Sequence, residues 1–158
     1  MAARTTWISC CRVRVGPRRA YIWHDDNRQH QALLATGSVR IQNVLTETGH
    51  YVFVSDASTQ NRIDNIVESA GGSLEQRLRS AIEAANNENI GQVFQLSINS
   101  LAGDFIQIVL SVYETGSSDR IFMRDAAVDS SEALQVLEAF DQLGRDYTAW
   151  SQSRAGSR

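Results

Sequence analysis

No lysine occurs in this chain, and all 15 of its basic residues are arginine. Lysine is normally among the commonest residues. Its absence leaves no amine side chain for Schiff-base chemistry or acetylation. Pyridoxal-phosphate enzymes are thereby excluded, as are Walker-type NTPases, whose phosphate loop needs a lysine. There is no glycine-rich phosphate cradle, dinucleotide fingerprint, nucleophile elbow or zincin helix. No cofactor is called for. No apolar run approaches the length of a membrane span, and no apolar segment of the kind that follows the charges in a secretory signal is seen. Cysteine is scarce too. Cys10 and Cys11 are the only two, and they are adjacent. An internal bridge between neighbours is strained, so the pair predicts free thiols in the cytoplasm or another reducing compartment. Organelle import, or delivery into a host where lysine-free chains escape ubiquitin, are the alternatives.

What is present suits a folded domain. The chain has 158 residues, of which 42% are hydrophobic, enough for one core. We expect a single domain over residues 1–150 and a small polar tail over 151–158. The net charge of −3 is too mild for a surface built to hold polyanions. Its distribution is uneven. Five arginines (Arg4, Arg12, Arg14, Arg18, Arg19) precede the first acid, Asp25, and the remainder is acidic. That asymmetry reads as a basic arm.

Residues 7–15 read as a strand, Gly16-Pro17-Arg18-Arg19 as a turn, and Ala20 to Trp23 as a returning strand. Thr36-Gly37 reads as a break. Val39, Ile41 and Val44 then begin a strand that turns at 46–49 and returns through Tyr51 to Val54, giving two hairpins in the first 56 residues. Apolar residues next recur at helical spacing (Ile63, Ile66, Val67, Ala70), and Gly71-Gly72 stops that helix. Ser73 and Gln76 form a capping-box pattern ahead of the stripe Leu74, Leu78, Ile82, Ala85. A helical pair over roughly 60–87 follows from this. Alternation over 93–101, 105–113 and 121–123, with turns between, predicts a three-stranded meander. Asp129 and Glu132 look like a cap for a last helix carrying Leu134, Leu137, Phe140, Leu143, Tyr147 and Trp150, which Gly144 bends or stops. The expected class is α+β: an antiparallel sheet of hairpins and a meander, with the helical pair and the C-terminal helix on one face.

Four sets of residues are candidates for function. His24, Asp26 and His30 sit in a polar loop and offer imidazole and carboxylate ligands for a divalent metal, or a general base for a small hydrolase. A spacing of six between the histidines matches no recognised ligand motif, and a solvated loop is the plainer reading. Arg12 and Arg14 share one face of the first strand, with Arg18 and Arg19 in the adjoining turn. Arginine pairs with phosphate, and nearby Trp7, Tyr21 and Trp23 would stack on bases, which makes nucleic acid a second alternative. The plainer reading is a solvated face or a docking patch for an acidic protein. A thiol of Cys10 or Cys11 would need a nearby base to be catalytic. Tyr147 and Trp150, beyond Gly144, are either core residues or anchors for a partner. The leading expectation is a non-enzymatic protein-protein interaction or assembly subunit, such as an adaptor, chaperone or structural component. It would contact another protein or further copies of itself through Tyr147, Trp150, Arg12, Arg14, Arg18 and Arg19.

Overall fold

The computed structural model describes residues 16–24 and 29–155. Their order is β1 (Arg18–His24), α1 (Gln31–Glu47), β2 (Tyr51–Phe53), α2 (Ala57–Ala70), α3 (Leu74–Asn87), β3 (Gln92–Ser100), β4 (Phe105–Glu114), β5 (Arg120–Asp129) and α4 (Ala133–Ala155). The α+β class stands. The sheet is one five-stranded layer in the order β2-β1-β3-β4-β5.

The meander is as expected: β3-β4 and β4-β5 are antiparallel, with Leu96 opposite Leu110 and Leu110 opposite Arg124. The first third is corrected. β1 runs parallel to both β2 and β3, so the sheet is mixed. The hairpin expected over 39–54 is instead the end of α1 followed by β2, and the strand expected over 7–15 lies outside the described residues. Parallel neighbours need a crossover, and α1 supplies it. The supposed break at Gly37 lies inside that helix. Gly37 is buried, and a Cβ there would overlap the ring of Phe140. The glycine is a packing notch, not a stop. Gly37 and Ser38 interrupt the apolar stripe Leu34, Ile41, Leu45, which is why the helical period is hard to see.

A second correction concerns the helices, which cover both faces. On one face, α1 and α4 pack on Phe53, Phe94, Leu96, Ile108 and Leu110. On the other, α2 and α3 pack Ile63, Val67, Leu78 and Ile82 against Tyr21, Trp23 and Val93. The chirality of the chain explains the split. β1 to β2 moves one way across the sheet and β2 to β3 moves back, so right-handed crossovers put the intervening helices on opposite sides.

The helical pair is confirmed with its caps. Asp56 accepts from Thr59 N–H, and Ser73 and Gln76 complete the capping box. The last helix begins later than its apparent cap. Asp129 accepts from Ser131 N–H at 2.9 Å and closes a turn, while the helix opens at Ala133. Leu134 is therefore 83% exposed, and the buried stripe is Val136, Ala139, Phe140, Leu143, Tyr147. Gly144 neither stops nor ends α4, which continues to Ala155 through the start of the expected tail. A Cβ at Gly144 would sit 3.1 Å from Val44 Cγ1, so this glycine lets α1 and α4 approach. No helix among the described residues is long and apolar enough to cross a membrane.

Candidate functional site

The amino end of β1, the loop before β2 and the last turns of α4 enclose a basin of about 730 Å³. Its lining brings together Arg18, Tyr51, Gln92, Glu114, Tyr147 and Trp150. A continuous hydrogen-bond chain ties these elements. Arg18 Nη1 donates to Glu114 Oε1 at 3.2 Å, and Gln92 Nε2 donates to the same oxygen at 3.0 Å. Tyr147 OH donates to Gln92 Oε1 at 3.0 Å and accepts from Tyr51 OH at 3.2 Å. Ser151 Oγ lies 3.0 Å from the Tyr51 hydroxyl. Five elements are thus pinned through side chains; the Tyr51–Tyr147–Gln92 part is buried, where full pairing offsets desolvation, and the Arg18–Glu114 end is exposed.

The aromatic part of the site is graded in depth. Tyr147 is 1% exposed and contacts Phe94, Tyr51 and Phe122 with ring centroids 5.0 to 5.8 Å apart. Burial, then the Tyr51 hydrogen bond, pushes its hydroxyl well above the ordinary tyrosine range. It stays protonated at neutral pH, so it acts as a donor and not as a base. Trp150 is only half-buried. It leans on Phe122 at 5.4 Å, and the Arg154 guanidinium stands 5.0 Å over its ring.

The predicted site residues therefore separate. Arg18, Tyr147 and Trp150 meet in one basin, with Tyr147 in the core at its floor and Trp150 at its surface. Arg18 and Arg19 belong to β1 and not to a turn, so they point to opposite faces. Arg19 Nη1 donates to the Glu88 carbonyl at 2.9 Å, at the end of α3. Arg12, Arg14, Cys10, Cys11 and Asp26 lie outside the described residues. His30 Nε2 and Ser100 Oγ are 2.8 Å apart, whereas His24 lines a different cavity, at the carboxyl end of β1. Among the described residues no three His, Cys, Asp or Glu side chains gather as a metal site. Sequence reasoning missed Tyr51, Gln92 and Glu114. A glutamine on the buried face of a strand is the signal that points to them.

No family model matches the chain, and no curated protein is similar to it in sequence. Solved structures do resemble it. Lipoprotein GNA1162 from Neisseria meningitidis superposes with a TM-score of 0.50 at 11% identity, over 89% of this chain and 99% of that one. The LpoB C-terminal domain from Escherichia coli gives 0.48 at 21% identity, over 72% and 84%. The PelC dodecamer from Paraburkholderia phytofirmans gives 0.47 at 10%, over 81% and 84%. Likeness at these identities is likeness of fold. It corrects one expectation: with a lipoprotein among the similar structures, the placement in the cytoplasm or a reducing compartment is withdrawn. Two adjacent cysteines without a distant partner are a weak gauge of compartment, because a chain that needs no disulfide looks the same on either side of a membrane.

Proposed function

We propose that this protein is a non-enzymatic assembly subunit whose partner docks over the Arg18–Trp150 basin. The observation that carries the reading is Trp150: half-buried on Phe122, capped by Arg154, and set beside Arg18. Tryptophan and arginine together are the residue types most enriched where binding energy concentrates. Tyr147 and Gln92 hold the floor rigid, so little ordering entropy is spent when a partner arrives. The partner is a protein surface with acidic groups for Arg18 and an apolar side chain for Trp150, on another protein or on a second copy of this chain. The fold it shares with a lipoprotein and with a dodecamer subunit is compatible with either.

Native mass spectrometry on the full chain at low salt tests this. Several copies, or a stoichiometric second protein, are expected, and Trp150→Ala should reduce the assembly to monomer while circular dichroism stays unchanged. A wild-type monomer without a partner, in cross-linked cells as well as after purification, overturns the reading. So does an assembly that survives both Trp150→Ala and Arg18→Glu.

A further inference from the structure

At the other end of β1 lies a second cavity, of about 770 Å³, which the basin does not explain. β1 leads into α1 on one face of the sheet and β2 into α2 on the opposite face. Where neighbouring parallel strands send their connections to opposite faces, a crevice opens at their carboxyl ends. Here it is deepened because β2 is only three residues long. Arg18 and Ala20 direct their backbone groups to the β2 side, with Arg18 N–H on His50 O at 2.8 Å and Val54 N–H on Ala20 O at 3.0 Å. Ile22 and His24 share that parity, but the pairing ends at Ala20. The Val54 carbonyl, which would take the next rung, accepts from Gln60 Nε2 at 2.9 Å. The edge of β1 therefore floors the crevice between α1 and α2.

Three side-chain atoms in that lining are buried without a hydrogen bond of their own, Ser38 Oγ, His24 Nδ1 and Arg77 Nε. Ser38 is only 6% exposed and occupies the apolar stripe of α1, where alanine would serve the fold better. A buried polar atom without a partner is costly and calls for an explanation. The opposite wall is acidic. Gln60, Asp64 and Glu68 follow at steps of four on one side of α2. Asp64 accepts from Tyr21 OH at 2.7 Å, which leaves further lone pairs on its carboxylate. Two carboxylates face the crevice against one guanidinium, Arg77, so a cation is favoured over an anion.

We propose that this crevice binds a small primary amine that also carries a carbonyl or hydroxyl group, about the size of an amino-acid amide. The ammonium sits against Asp64 and Glu68, and the carbonyl or hydroxyl completes the hydrogen bonding of Ser38 Oγ and His24 Nδ1. A volume in the range of small-molecule sites accommodates such a ligand. The site is distinct from the docking basin and does not depend on it.

The test is an NMR titration of the full ¹⁵N-labelled chain with L-alaninamide, ethanolamine and glucosamine, using propionamide as the amine-free control. At least one amine should give saturable shifts at the amides of Ile22, His24 and Ser38, and propionamide should not. Ser38→Ala should keep or raise the melting temperature while weakening that binding about tenfold, the size of one lost buried hydrogen bond. Glu68→Gln, on the exposed rim, should weaken it without touching the core. No saturable shift with any of the three amines overturns the site. Equal binding of propionamide overturns the amine, and binding unchanged in Ser38→Ala overturns the role of the orphan hydroxyl.

Discussion

Gly37 shows how much a single residue decides. Glycine inside a helix costs about 1 kcal/mol relative to alanine, so Gly37→Ala looks stabilising on local grounds. The buried Phe140 ring fills the space that the new methyl would take. Overpacking of a filled core costs roughly 1–3 kcal/mol, which exceeds the helical gain. Gly37→Ala should therefore lower the unfolding free energy measured in urea by about 1–2 kcal/mol. Gly144→Ala meets Val44 at 3.1 Å, a milder contact, and should cost less. If both variants proved more stable than the parent in urea, the close packing of α1 on α4 would be wrong. Tyr147→Phe probes the polar chain at the same scale. It strands Gln92 Oε1 in a buried place and leaves Tyr51 OH with Ser151 alone, and a loss of about 1–3 kcal/mol in chemical denaturation is expected.

Among the elements, α2 and α3 are the pair whose ends are most explicitly built. Thr59 hydrogen bonds to Asp56 hold that carboxyl below its ordinary value, and the Arg62 hydrogen bonds do the same for Glu88 at the end of α3. A carboxyl whose pKa is depressed in the folded state contributes stability that is fully present above its unfolded pKa. The contribution is lost as pH falls through the folded value. The denaturation midpoint should hold near neutral pH and drop below the ordinary carboxylate range, from about pH 4 downward. Asp56→Asn should flatten that drop; an unchanged acid limb would show that the cap does not contribute. Ser73→Ala removes one half of a capping box and should cost about 1 kcal/mol at any pH between 5 and 8, measured by chemical denaturation. These helix ends were legible in the sequence because capping is local: Ser73 and Gln76 need only each other and the backbone between them. The cap read at Asp129 failed for the same reason. Its side chain satisfied the nearer Ser131 and left the helix to begin at Ala133.

At the scale of the whole molecule, the two cores meet through β1 and β3. Phe94 faces the α1–α4 side, fully buried, in contact with Tyr51, Phe53 and Tyr147. Val93 faces α2 and α3. Phe94→Ala should cost about 3–5 kcal/mol and loosen the basin floor as it empties the larger core. A loss below about 1 kcal/mol would mean the two layers are not coupled through this strand. The ion pair of Arg40 with Asp141, at 2.6 Å across α1 and α4, is a lesser tie. Partly exposed, it is screened by solvent and adds little beside the apolar contacts.

The sequence by itself determined the α+β class, the meander, the helical pair with its caps, and the lack of any lysine side chain. Each of these rests on residues a few positions apart, or on composition. Tertiary structure decided the rest. That Gly37 is a packing notch and not a break is set by Phe140, more than a hundred residues away, whose ring fills it. The parallel course of β1 depends on β3, some seventy residues on. The sites follow the same rule. Trp150 was visible as an aromatic at the end of a helix, but Arg18 became its neighbour only when β1 was laid in the middle of the sheet. The orphan hydroxyl of Ser38 has no signature until the helix around it is known, because burial is a property of the fold and not of the residue.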